Sequence, residues 1–370
     1  MSEFRPGLEG VVAFQTEIAE PDRDGGALRY RGVDIEDLVG TASYGDVWTL
    51  LVDGRFSGGL PPAEDVVLPV RTGDVRADAQ AALAMAGPEY GYQPILDLDE
   101  QTVRAQLAHS CALGLSFVAQ SARGDLPAVS QARIAEAETT TEQFLVRWRG
   151  DPDPAHVRAL DAYWASAAEH GLNASTFTAR VIASTGADVG ASLSGAVGAM
   201  SGPLHGGAPA RVLPMIDEVE RTGDARAVVA GILDRNERLM GFGHRVYRAE
   251  DPRARVLRNT CEQLGAPRFE VARELEQAAL AELRERRPDR QIETNVEFWA
   301  AVILDFAQVP TPTMPAMFTC ARLAGWSAHI LEQKRTGRLV RPSAQYVGPE
   351  PRSPQDVEGW DSVTQLIAPV

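Results

Sequence analysis

The chain has 370 residues, of which 44% are hydrophobic and 24% charged, ordinary values for a globular protein with room for two domains and a sizeable core. A formal net charge of −15 argues against a general nucleic-acid or anionic-membrane partner, because such partners need a basic face. The three cysteines, Cys111, Cys261 and Cys320, lie far apart with no CxxC or Cys/His spacing, so the expectation is reduced thiols, no disulfide framework and no metal site.

The opening MSEFRPGLEG has no basic stretch followed by an apolar one, and nowhere do about 18 apolar residues run together. The expectation is a cytoplasmic protein without a membrane span. Gly10–Gly32 alternates weakly around the turn-forming EPDRDGG and reads as two short strands with a hairpin-like connection. A stretch rich in Pro, Gly and Asp follows, from Gly54 to Asp74.

From about Ala77 onward the pattern is helical. Ala132–Trp148, Ala155–Glu169, Ala225–Met240, Pro252–Leu264, Arg268–Arg286 and Val296–Ala307 all repeat apolar residues at three- and four-residue steps. Gly186–Gly202 is dominated by Ala, Gly and Ser. Its Val189, Leu193, Val197 and Met200 recur at helical steps, which favours a closely packed helix over a flexible linker. No later segment reads as a strand. The fold class expected is all-α, mainly helical, with a short β element near the N-terminus.

Six histidines are present, and two sit in glycine-bearing segments that read as turns. His205 lies in Gly202-Pro203-Leu204-His205-Gly206-Gly207, and His244 in Gly241-Phe242-Gly243-His244-Arg245-Val246-Tyr247-Arg248. Glycine neighbours leave little bulk and let a ligand approach the backbone, while imidazole exchanges protons near neutral pH. Beyond His244, Asp251 and Pro252 read as a helix cap and first position. Arg253 then falls in the first turn, where its charge does not help the helix but suits an anion bound there. Glu297 opens the apolar run Val296–Ala307; burial would raise its pKa and the helix pole would lower it. Arg322 stands in the apolar MFTCARLAGWSAHI, and Arg341 in LVRPSAQY. A buried arginine requires an anionic partner, from the protein or from a substrate. The basic run Arg284–Arg290 also fits a solvated helix end.

These segments together resemble the citrate synthase family. The strongest element is GFGHRVYRAEDPR at Gly241–Arg253. SGPLHGGAP at Ser201–Pro209, EHGLNAST at Glu169–Thr176, TNVEF at Thr294–Phe298, EQKRTGRLVRP at Glu332–Pro342 and LRYRGVDIEDL at Leu28–Leu38 support it. The resemblance spans nearly the whole chain. It implies a homodimer of two-domain subunits, with residues 1–204 and 316–370 forming a large domain and 205–315 a small one. It also implies condensation of acetyl-coenzyme A with oxaloacetate and water, giving citrate and coenzyme A with no permanent cofactor.

By the same resemblance His205 hydrogen-bonds the thioester oxygen, Glu297 takes the α-proton and His244 polarises the ketone. His170, Arg253, Arg322 and a partner subunit's copy of Arg341 bind carboxylates, and Arg248 and Arg290 are candidates for coenzyme A phosphates. With a negative chain overall, attraction for these anions must come from such a local arginine cluster. The sequence departs from the family at the base. Glu297 stands where Asp is usual, and Thr294 where Pro is usual, so the longer carboxylate would reach about 1 Å further, a displacement that can cost about 10² in rate. Three alternatives stay open at this point: 2-methylcitrate formation from propionyl-coenzyme A, a ligand-binding protein with little turnover, and a helical scaffold.

Overall fold

The computed structural model describes the chain except residues 1–3, 9, 23, 25, 203–204, 206–208, 244–248 and 364–370. His244 and Arg248 therefore lie outside the described residues. The chain divides into two units, residues 1–15 with 341–370, and residues 16–340. The first contains short 3-10 turns at Pro6–Leu8, Pro354–Asp356 and Trp360–Ser362 and has no helix or strand among its described residues.

The second unit begins with an antiparallel sheet of β1 (Ala19–Asp22), β2 (Ala27–Tyr30) and β3 (Val33–Asp34), in the order β1-β2-β3. Helices α1 (Ile35–Leu38), α2 (Tyr44–Asp53), α3 (Val75–Tyr90), α4 (Glu100–Arg123), α5 (Gln131–Ala135), α6 (Thr140–Arg149), α7 (Pro154–Ala167) and α8 (Ala174–Ser184) follow. Then come α9 (Val189–Met200), α10 (Leu213–Thr222), α11 (Ala225–Asp234), α12 (Pro252–Gln263), α13 (Phe269–Arg286), α14 (Val296–Phe306) and α15 (Met314–Thr336).

The mainly helical expectation holds, and the Ala/Gly/Ser-rich segment is helical as α9, packed between α3 and α8. Its buried face carries Val189, Leu193, Val197 and Met200. The N-terminal reading needs correction. The first strand starts only at Ala19 and runs through Glu20–Asp22 of the segment read as the turn, and a third strand follows. Helices α1 and α2 precede Ala77; α2 is set by a capping box between Ser43 and Asp46 and by left-handed Gly54 at its end. The run Ala132–Trp148 breaks into α5 and α6, because the Thr139 side chain accepts from the Glu142 amide and starts a new helix. Helix α11 ends six residues before Met240, ahead of Asn236, which takes a left-handed φ of 55°.

Helix α15 is the hub. Almost all of it is buried, and α2, α4, α7, α8 and α9 pack on it. Most of the buried apolar residues from Ile18 to Leu331 form one cluster, with two smaller ones around Phe117 and Ile134. Cys111, Cys261 and Cys320 are buried thiols within the large one. Among the described residues no helix is long and apolar enough to cross a membrane.

Candidate active site

The start of α14 organises the site. Asn295 caps this helix by accepting from the Glu297 amide at 3.0 Å. Its own side chain donates to the Gly243 carbonyl at 2.8 Å, and its backbone amide to the Gly241 carbonyl at 2.9 Å. The Val296 amide donates to Asp251 Oδ2 at 3.1 Å. Both flanks of residues 244–250 are thus fastened to the helix that carries Glu297. Gly241 makes this approach feasible. Its φ is +86°, and a Cβ there would lie 2.8 Å from that of Phe298.

Glu297 occupies the first turn of α14, largely buried. Burial raises its carboxyl above the ordinary value of 4.5, while Arg238, Arg253 and Arg211 oppose the shift and Asp251 adds to it. Of the two influences the sequence left open, desolvation prevails.

Arg253 is buried in the first turn of α12 and pairs with the residue that caps that helix. Its Nε lies 3.0 Å from Asp251 Oδ1 and its Nη2 2.8 Å from Asp251 Oδ2. The arginine expected to serve an anion therefore already holds one carboxylate. Arg322, in the middle of α15, is different. It is 2% exposed, its Nε donates to the Ala167 carbonyl at 3.0 Å, and its guanidinium stacks on Phe318 at 4.9 Å. Among the described residues no carboxylate lies within ion-pair distance of it; Glu169 supplies a negative field from further away. Burial lowers the Arg322 pKa, though a guanidinium remains charged at neutral pH.

His205 is half-buried, its ring against Phe318 at 6.3 Å. Burial and then the Arg322 charge depress its pKa to about 4. The imidazole is neutral at pH 7. Its Nε2 lies 2.9 Å from Ser175 Oγ, which accepts from Trp326 Nε1 at 3.1 Å and donates to Asn173 Oδ1 at 2.9 Å. Asn173 caps α8 and so fixes Ser175.

One electrostatic neighbourhood links these groups. Arg322 acts on His205, Arg253 on Arg322 and on Glu297, and all three of Arg322, Arg253 and Glu297 act on the buried Tyr163 hydroxyl. Tyr30 pins the segment before His170, accepting from the Glu169 amide at 3.2 Å and donating to the Ser166 carbonyl at 3.0 Å. His170 itself is half-buried. Arg290 is exposed after α13, and Arg341 is exposed in the unit formed by the chain ends. Sequence reasoning missed Ser175, Tyr163, Glu169, Arg211 and Arg238. Ser175 and Glu169 stood inside the EHGLNAST segment, but nothing in their spacing marked them.

A raised carboxyl, a neutral imidazole and a buried guanidinium short of a carboxylate are the groups that acid–base chemistry on an anion uses. The family profile described as "Citrate synthase, C-terminal domain" matches residues 7–66 and 64–343. A protein provisionally named citrate synthase 2 in Mycobacterium tuberculosis is 73% identical over 362 residues, covering 97% of both chains. The 2-methylcitrate synthase of Shewanella oneidensis is 32% identical over 380 residues, covering 94% of this chain and 95% of its own. Among solved structures, citrate synthase of Thermoplasma acidophilum in ternary complex with carboxymethyl coenzyme A and oxaloacetate superposes with a TM-score of 0.79. It is 26% identical and covers 95% of this chain and 98% of its own. The chain belongs to the citrate synthase family. It is an enzyme of the acyltransferase class in which the acyl group becomes alkyl on transfer.

Proposed function

We propose that this enzyme condenses acetyl-coenzyme A with oxaloacetate, with Glu297 as base and His205 as the group that holds the thioester oxygen. The observation that carries the reading is Arg322, a fully buried cation with no carboxylate at ion-pair distance among the described residues. A buried charge is costly unless paired, and a substrate carboxylate completes the pairing.

In this reading the Glu297 carboxylate removes a proton from the acyl α-carbon. A thioester α-hydrogen is weakly acidic, so the developing enolate oxygen needs a donor. His205 meets that need as a neutral imidazole. While Ser175 donates to Asn173 Oδ1, the ring proton sits on Nε2; turning that hydroxyl to Nε2 moves the ring proton to Nδ1, available to the thioester oxygen. Removing such a donor typically costs about 10²–10³ in rate. The enolate carbon attacks the ketone of oxaloacetate, polarised by His244. Water then cleaves the thioester, releasing citrate and coenzyme A.

Arg253, Arg322 and His170 hold the oxaloacetate carboxylates, with Arg341 contributed from a partner subunit. Arg248 and Arg290 are the candidates for the coenzyme A phosphates. The thioester is a substrate, and the chemistry uses no resident cofactor. Residues 205–315 close as a small domain over the large one, and the subunit works as a homodimer. Buried, reduced thiols fit a cytoplasmic setting.

Propionyl-coenzyme A is the second acyl donor to weigh, because a 2-methylcitrate synthase stands among the relatives. One methylene in a pocket is worth only about 1–3 kcal/mol. The test is release of free thiol from each thioester in the presence of oxaloacetate, read as kcat/KM. Turnover that disappears in Glu297→Gln and His205→Ala, with cooperative unfolding retained, supports the assignment. Full activity in either variant refutes it, and oxaloacetate binding without thiol release favours a ligand-binding protein.

A further inference from the structure

Resting on the reading that Arg322 binds an oxaloacetate carboxylate, we infer that Glu169 is a built-in counter-charge to Arg322 that deliberately weakens the hold on that substrate. Glu169 follows the end of α7 and is wholly buried. Neither of its carboxylate oxygens accepts a hydrogen bond among the described residues. Room for the carboxylate exists because residue 325 is glycine; a Cβ there would lie 2.1 Å from Glu169 Oε2.

A fixed polar network backs the Glu169 side chain. Arg180 donates from Nη1 to Glu332 Oε2 at 2.5 Å, and the same nitrogen lies 2.9 Å from His329 Nδ1. A guanidinium has no acceptor, so Nδ1 of His329 must be the acceptor and carries no proton. The ring proton therefore sits on Nε2, which lies 3.2 Å from Glu169 Oε1. Glu332 is fastened in turn by the Glu17 amide at 3.0 Å and by Thr16 Oγ1 at 3.2 Å.

Two buried ion pairs flank Glu169 and Arg322. Arg180 is paired with Glu332, and Arg253 with Asp251. Within this cluster Arg322 and Glu169 have no such pair, each within the other's field but beyond ion-pair distance. A substrate carboxylate arriving at Arg322 meets a cation already partly compensated by Glu169. Both the dicarboxylate substrate and the more highly charged product pass through this field, so the counter-charge lets the product leave.

Neutralising Glu169 uncovers a buried cation in the empty protein, and an anionic ligand then restores the balance. The test is calorimetric titration of the full chain with oxaloacetate alone, paired with thermal melting, for the wild type, Glu169→Gln and Glu169→Asp. Expected is roughly tenfold tighter oxaloacetate binding in Glu169→Gln, the order that one nearby charge supplies. Its melting point without ligand falls, its rise on adding oxaloacetate grows, and Glu169→Asp, which keeps the charge, stays near wild type. Unchanged or weaker binding in a folded Glu169→Gln overturns the inference. If that variant does not fold, the double substitution Glu169→Gln with Arg322→Gln is expected to fold, because both unmatched charges are gone. A double variant that also fails to fold overturns the pairing. A wild type that binds no oxaloacetate overturns the substrate reading itself, and this inference with it.

Discussion

Replacing Glu297 by Asp shortens the side chain of the proposed base by one carbon–carbon bond, about 1.5 Å. The backbone has no freedom to make up that distance. Asn295 is bonded to Gly241 and Gly243, Val296 to Asp251, and Phe298 is packed on Gly241. The carboxylate must therefore retreat from the acyl α-carbon by most of the lost length. A misplacement of about 1 Å costs on the order of 10² in rate, or roughly 2.7 kcal/mol of barrier. Thiol release at saturating substrates is expected to fall by about that factor in Glu297→Asp. The oxaloacetate KM should hold, since Arg322 and the Asp251–Arg253 pair are unaltered, and the melting point should move little. A kcat within about threefold of wild type would show that the reach of this carboxylate does not govern proton removal, against a predicted loss near 10².

Other outcomes follow from the same geometry. Ser175→Ala should lower kcat by about 10²–10³ with little change in either KM, since His205 loses the partner that fixes its proton; an unaltered kcat would deny Ser175 that part. His205, depressed from 6.5 to about 4, binds fewer protons in the folded state than in the unfolded chain across that window. Stability is therefore expected to fall as pH drops from 6.5 towards 4 and to be flat in this respect above it, and denaturant melts of His205→Gln should show a shallower acid slope. Glu297, raised above 4.5, has the opposite sign: its ionisation costs stability as pH rises through its folded pKa. Melting of Glu297→Gln should exceed wild type at pH 7 and match it in acid. Gly241→Ala combines a left-handed φ with a clash on Phe298 and should cost roughly 2–4 kcal/mol of unfolding free energy by urea titration.

Much of the architecture can be read from residue spacing, because an amphipathic helix writes its period into the chain. Helix α9 is the instructive case, since its composition suggests a linker while Val189, Leu193, Val197 and Met200 keep the helical step. What spacing hides are the interruptions. Thr139 restarts a helix in a run whose apolar period continues across it, and Asn236 ends α11 while the apolar residues go on to Met240. The site was half legible for a similar reason. His205, Arg253, Glu297 and Arg322 stand in distinctive segments, but their states depend on partners distant in the chain. Whether burial or the helix pole governs Glu297 could be decided only once Gly241 and Asp251 were seen against α14. Asp251 looked like a plain cap and is also the carboxylate that holds Arg253.

Helix α15, on which α2, α4, α7, α8 and α9 all rest, comes after every one of them in the chain. A ribosome delivers those earlier helices well before the surface they are to cover. Until Thr336 has emerged, their apolar faces have only one another, and a nascent chain in that condition is prone to stick to its neighbours. Productive folding of residues 16–340 thus waits on sequence-distant contacts, which makes it slow for a helical protein. A premature stop anywhere before α15 would yield aggregate or a chaperone client rather than a shorter enzyme.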